Sequence, residues 1–131
     1  MTHTTLPVQT RSHSELHDIT QAVAEIVRNS KIKEGRCSVY VPHTTCGVTI
    51  NENADPSVKH DIQMELEKRF PWNDNYTHSE GNSAAHLKSS LMGFSVSIPI
   101  SGGRMMLGTW QGIYLCEFDG PRSRRVIISI E

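Results

Sequence analysis

The chain has 131 residues, 37% of them hydrophobic and 21% charged, with a formal net charge of −1. That length holds one domain, residues 1–131, and excludes two ordinary ones; the near-neutral balance excludes the strong positive field that draws a protein to nucleic acid or to an anionic membrane. No apolar run reaches the roughly 18 residues that a membrane-spanning helix needs.

In chain order, Thr4–Thr10 alternates weakly and predicts a first strand. Asp18 is placed to cap a helix, with Gln21 completing a capping-box-like pair. Ile19, Ala22, Val23, Ile26 and Val27 then form an apolar stripe at helical spacing. Cys37–Val41 and Gly47–Asn51 are short, rich in β-branched residues, and predict two strands with a turn at Pro42-His43-Thr44-Thr45. Asp55-Pro56 is a helix start, a capping carboxylate followed by proline at the first helical position. Val58, Ile62, Leu66 and Phe70 supply that helix with its stripe, and Pro71 ends it. Trp72–Asn82 is polar and reads as a loop. A third helix follows from about Ala84 to Met92, capped by Asn82 or Ser83 and stopped by Gly93. From Phe94 the period becomes two: a strand, a hairpin turn at Ser101-Gly102-Gly103-Arg104, strands over Arg104–Leu107 and Thr109–Phe118, a turn at Asp119-Gly120-Pro121, and a last strand over Arg124–Ile130. About seven strands and about three helices, with the strands clustered toward the C-terminus, predict an α+β fold with a mixed, largely antiparallel sheet.

Met1–Pro7 lacks the basic-then-apolar pattern of a secretory signal. Cys37, Cys46 and Cys116 are odd in number and scattered, so no disulfide framework is expected and a reducing, cytoplasmic setting is. The seven histidines are the unusual count. His43-Thr44-Thr45-Cys46 leads to Asn51-Glu52-Asn53-Ala54-Asp55, where Glu52, Asn53 and Asp55 gather at a helix start that favours negative charge and also holds anions. Asp55 is equally explained as a plain cap; Glu52 needs a charge partner or open water. His78 and Glu80 precede His86 in the first turn of the third helix, with Ser90 one turn below. Histidines with carboxylates suit a zinc-like divalent metal, although the His78–His86 spacing is not a recognised ligand motif. Gly108-Thr109-Trp110-Gln111-Gly112 places a ring for stacking and an amide between glycines on a predicted strand. Cys46 beside His43 has no third group to make it a nucleophile, and Lys88 and Arg104 are the cations nearest the motifs.

Taken together these segments resemble the YjbQ-like family, also called the secondary thiamine-phosphate synthase family. The resemblance runs from about Tyr40 to the C-terminus. It rests on His43-Thr44-Thr45, Asn51-Glu52-Asn53-Ala54-Asp55-Pro56, Asp61, His78, Glu80-Gly81-Asn82, His86-Leu87-Lys88-Ser89-Ser90 and Ser95–Ile113. It implies a compact α+β subunit in a homotrimer, with a polar pocket at a subunit boundary where the histidines gather with the acids and Gln111. It also implies an association with thiamine phosphate formation, in which an aminopyrimidine diphosphate joins a thiazole phosphate and pyrophosphate leaves.

The expected site therefore has His43, His86 and Glu52 as catalytic groups, with Thr45, Asn53, Ser90, Arg104, Trp110 and Gln111 on the substrate. Its expected metal set is His43, His78, His86 and Asp55, for a zinc-like or magnesium ion. The expected partner is a small phosphorylated metabolite. The same residues also fit a non-catalytic module that binds a small metabolite or anion, or polar groups that satisfy one another across subunit interfaces.

Overall fold

A computed structural model describes residues 1–131. The elements run β1 (Thr2–Gln9), β2 (Glu15–Asp18), α1 (Thr20–Ser30), β3 (Gly35–Tyr40), β4 (Cys46–Glu52), α2 (Pro56–Arg69), α3 (Ser83–Met92), β5 (Ser95–Ser101), β6 (Arg104–Met105), β7 (Gln111–Glu117) and β8 (Ser123–Ile130). The α+β class and the three helices stand. The strands, however, form two sheets and every pair is antiparallel: β1-β8-β3-β5-β6 in one, β2-β7-β4 in the other. No helix is long and apolar enough to cross a membrane.

Side-chain periodicity explains the layers. In β8 the side chains of Arg124, Val126, Ile128 and Ile130 are buried and alternate with more exposed neighbours, as in a strand with one face on a core. In β7 every residue from Gly112 to Glu117 is buried, because both faces are covered. Ile113 and Leu115 join Val39, Ile98, Val126 and Ile128 in the main core between the two sheets, which α1 closes with Val23 and Val27. Tyr114 and Cys116 face the other way. With Leu16, Ala85 and Phe118 they form a second core under Ile62 and Leu66 of α2 and Met92 of α3. Ile128, fully buried in the main core, gives a measure of its packing: Ile128→Val is expected to cost about 1 kcal/mol, read as a shift of the urea midpoint at constant slope.

Three local expectations change. Asp18 is not the cap of α1 but the end of β2: its Oδ1 accepts from the Thr20 N–H at 2.9 Å and from the Thr20 hydroxyl, while Ile19 occupies the capping position. The strand expected over Arg104–Leu107 stops at Met105, and Gly108–Trp110 lies outside the sheet. The intervening hairpin turn holds, with Gly102 at φ 60° and Gly103 at φ 78°, the left-handed pair that a two-residue hairpin connection requires. α2 begins as expected: Asp55 Oδ1 accepts from the Ser57 N–H at 2.9 Å, and Pro56 opens the helix.

β4 positions the chemistry. The loop Pro42–Thr45 enters at one end and Glu52 leaves at the other. Seven residues of strand at about 3.3 Å each separate these ends by roughly 20 Å.

Candidate functional site

Glu117 interrupts an apolar strand. A carboxylate there must find partners, since an unpaired buried charge costs several kcal/mol. Its side chain is fully buried and that of Arg124 is 5% exposed. Arg124 Nε donates to Glu117 Oε1 at 2.8 Å, and Nη2 donates to Oε2. The Thr10 hydroxyl donates to Oε1 at 2.7 Å, and the N–H groups of Phe118 and Asp119 donate to Oε2 at 3.1 and 3.0 Å. Burial pushes the Glu117 carboxyl up, but these hydrogen bonds and the Arg124 charge outweigh it and hold the group below its ordinary value.

The same guanidinium reaches across to the loop before β4. Arg124 Nη2 donates to Thr45 Oγ1 at 2.9 Å and to the Thr45 carbonyl at 3.3 Å. The next residue holds the histidine: the Arg125 N–H donates to His43 Nε2 at 3.1 Å. That bond makes Nε2 the acceptor and puts the His43 proton on Nδ1. Burial and the Arg124 charge depress the His43 pKa, so its imidazole is neutral at pH 7.

An open groove of ≈ 530 Å³ lies beside this loop. The loop itself brings His43 and Thr45; the approach to α3 brings His78, Glu80 and Asn82; α3 brings His86 from its first turn. The β7–β8 turn adds Asp119 and Arg122. The His78 and His86 rings meet edge to face with centroids 5.4 Å apart. Asp119 Oδ2 accepts from Asn82 Nδ2 at 2.9 Å and from Arg122 Nη2 at 3.1 Å, which fixes the turn against α3. The groove thus offers a neutral imidazole, a histidine pair and two guanidiniums already held by carboxylates. That is equipment for moving protons beside an oxyanion.

His43, Thr45, His78 and His86 line one groove, but the other expected site residues do not join them within one chain. Glu52, Asn53 and Asp55 sit at the far end of β4. There Glu52 Oε2 accepts from the N–H groups of Ala54 and Asp55 at 2.9 and 3.3 Å, and the Asn53 N–H donates to the Trp110 carbonyl at 2.9 Å. Gln111 belongs to this end too: its Oε1 accepts from the Gly108 N–H at 2.9 Å and closes the turn. Trp110 is 63% exposed. Arg104 lies in a different cleft beside α1, and Ser90 is exposed on α3 outside the groove. Lys88 is also diverted, its ammonium buried and bonded to Glu67 of α2 at 2.6 Å.

The expected metal set is not assembled within one chain. Asp55 caps α2, at the opposite end of β4 from His43. Nowhere in the chain do three His, Cys, Asp or Glu side chains converge as a metal would require. The donors of one chain do not fit a protein-coordinated zinc-like or magnesium ion. Burial pushes the Cys46 thiol up to about 12, so it is no thiolate beside His43.

Asp119, Arg122 and the Glu117–Arg124 pair escaped the motif reading. Their signals are present: a lone acid inside Ile113-Tyr114-Leu115-Cys116-Glu117-Phe118, and a run of arginines just past the following turn.

The model of the UPF0047 protein YjbQ-like family matches residues 4–131. The UPF0047 protein of Methanocaldococcus jannaschii is 54% identical over 123 residues, covering 94% of this chain and 89% of that protein. The UPF0047 protein YugU of Bacillus subtilis is 47% identical over 127 residues, covering 96% of each. Among solved structures, an uncharacterised YjbQ/UPF0047 protein of Clostridium acetobutylicum superposes with a TM-score of 0.96 at 49% identity, covering 98% of this chain and 99% of that one. A YbjQ-like protein of unknown function from Sulfolobus solfataricus gives 0.94 at 32% identity, covering 98% and 95%. With the match running through both sheets and every groove residue, the chain belongs to the YjbQ-like, UPF0047 family.

Proposed function

We propose that the chain is a small metabolic enzyme that acts on a phosphorylated small molecule in the histidine groove. The observation that carries this reading is His43: a neutral imidazole, its tautomer set by the Arg125 N–H, opening into one groove with His78, His86 and Arg122. With Nε2 taken by the Arg125 N–H, the fixed neutral imidazole can only donate, through its Nδ1–H, and His78 and His86 are left as the acid and base of the groove. The resemblance of the motifs narrows the chemistry to the secondary thiamine-phosphate synthase type. In that reaction the thiazole nitrogen bonds to the pyrimidine methylene as the C–O bond to pyrophosphate breaks, with no proton to abstract; His43 donates its Nδ1–H to the departing pyrophosphate, which His78, His86 and Arg122 also face. No metal is assigned to the residues of one chain, where no three donors converge.

The assembly belongs to the same proposal. Trp110 and Met106 are 63% and 61% exposed on the turn beside Gln111, a large apolar surface to leave in water. A closed homotrimer joins unlike faces of successive subunits. The Trp110–Gln111 end of one subunit would then meet the groove of the next, and the set of Glu52, Asn53 and Gln111 would come to the histidines across that boundary. Exposed Trp110 equally suits a non-catalytic module that stacks a flat metabolite without converting it.

The test is pyrophosphate release from the two thiamine precursors by the purified protein, with mass measured by light scattering. His43→Gln and His86→Ala are expected to lower kcat/KM by about 10²-fold or more in a trimer of unchanged mass; Trp110→Glu is expected to give monomers and the same loss. The acid limb of the pH profile is expected below the ordinary histidine value of 6.5, since a depressed pKa keeps the His43 imidazole neutral, and its bond from the Arg125 N–H intact, as pH falls until that lower value is crossed. Full turnover by both histidine variants would sink the site. No product from wild type, with either precursor retained, would favour the binding module.

A further inference from the structure

A second cleft, of ≈ 520 Å³, lies between the end of α1 and the β5–β6 hairpin and shares no residue with the histidine groove. Its floor is apolar, with Val27, Ile32 and Leu107 among the lining side chains, and its rim carries Arg28, Lys31, Lys33 and Arg104. No aspartate or glutamate lines it, and none of the four cations makes an ion pair anywhere in the chain. Cations at a helix C-terminus offset the helix dipole, which accounts for Arg28 and Lys31. It does not account for Lys33 and Arg104, which arrive from the following loop and from the hairpin.

The frame under these charges is tied together. The Gly103 N–H donates to the Lys33 carbonyl at 3.0 Å. The Lys33 stem lies over the hairpin, its Cδ and Nζ each 3.5 Å from where a Cβ of Gly103 would stand. Glu34, the acid next to Lys33, is spent elsewhere: its Oε1 accepts from the Ser101 hydroxyl at 3.1 Å and from the Gly102 N–H at 3.2 Å. That carboxylate locks the loop to the hairpin at Gly102 and makes no ion pair with the four cations, which stand exposed around a concave apolar surface. An anion in the cleft would meet several of them at once.

We propose that this cleft is a binding site for a small organic phosphate, with the phosphate held by the Lys33 and Arg104 side chains, beside Arg28 and Lys31, and an apolar body resting on Val27, Ile32 and Leu107. The volume suits a ligand of that size, and small-molecule sites pair an apolar floor with a few fixed polar groups. A phosphate with two negative charges uses several cations at once. The concavity favours a small ligand over an extended nucleic-acid backbone.

The experiment is amide-resolved NMR of the full chain titrated at millimolar concentration with phenyl phosphate, with inorganic phosphate, with phenol and with a short single-stranded RNA. Phenyl phosphate is expected to saturate shifts at Thr20, Val27–Lys33 and Gly102–Leu107, about tenfold more tightly than inorganic phosphate or phenol alone, because the floor and the rim act together. Lys33→Glu with Arg104→Glu is expected to weaken it about tenfold or more, with the spectrum otherwise unchanged, and His43→Gln is expected to leave the affinity unaltered. Shifts confined to His43, His78 and His86 would overturn the site. So would equal affinity for phenol and phenyl phosphate, no saturable shift with any probe, or tighter binding of RNA than of phenyl phosphate.

Discussion

Replacing Arg124 with methionine is expected to lower the stability of the folded chain by about 3–5 kcal/mol, the cost of leaving a buried charge without its partner. Glu117 is fully enclosed and takes its two guanidinium bonds from Arg124. The Thr10 hydroxyl and two backbone N–H groups remain after the substitution, but none of them carries charge. Urea unfolding at fixed subunit concentration reads the loss as a lower midpoint. Adding Glu117→Leu to the variant is expected to recover much of it, because an apolar pair of similar volume needs no partner. A single variant as stable as wild type would mean that water reaches Glu117.

The sign of the pH dependence separates the two proteins. In the wild type the Glu117 pKa is below its ordinary 4.5. Its contribution is fully present above that ordinary value and is lost as pH falls through the depressed one. Without Arg124, burial acts with less opposition and raises the pKa. The variant's deficit is then greatest at neutral pH and shrinks as acid protonates the carboxyl. The Arg124→Met difference in midpoint is therefore expected to narrow from pH 7 toward pH 4.

The elements written in strong local chemistry were legible in the sequence: Asp55-Pro56 starts α2, Gly102-Gly103 turns the hairpin, and Gly93 ends α3. The division into two sheets was not. It depends on β7 being covered on both faces, and an apolar run reads the same whether one layer or two lie over it. β2 escaped for a related reason: Glu15-Leu16-His17-Asp18 has one apolar side chain facing the second core, and its extended form comes from pairing with β7, not from propensity. For the candidate site, His43, His78 and His86 were singled out because unusual residue types stand in runs, and they line one groove. Glu52, Asp55 and Gln111 were grouped with them on sequence proximity to His43 and on resemblance, and the length of β4 separates them in a single chain. Arg124 and Glu117 are seven residues apart across a turn, and only the closing of β7 onto β8 makes them a pair.

The groove depends on one close approach between these layers. A Cβ on Gly47 would lie 2.7 Å from the Gly93 carbonyl oxygen, 3.2 Å from Met92 Cβ and 3.3 Å from the Ser89 carbonyl oxygen. The Val48 N–H donates to the same Gly93 carbonyl at 3.0 Å, so the end of α3 is bonded to β4 where there is no room for a side chain. Two of those neighbours are backbone and cannot rotate away. Gly47→Val is expected to cost about 3 kcal/mol, the upper part of the range for overpacking a core, and to lift α3 off β4. His86 rides on α3, whereas His43 is held to β8 through Arg125, so the substitution changes the distance between them without touching either. The expected signature is a shifted His86 ring resonance with an unshifted His43 one, and a groove activity that falls about 10²-fold where both proteins are fully folded, as a displacement of about 1 Å does for catalytic groups. Ile128→Val, which disturbs the main core alone, is expected to leave both the ring resonance and the activity in place. If Gly47→Val lost stability but kept the wild-type His86 resonance, α3 would have to be positioned by the Lys88–Glu67 contact with α2 and not by β4.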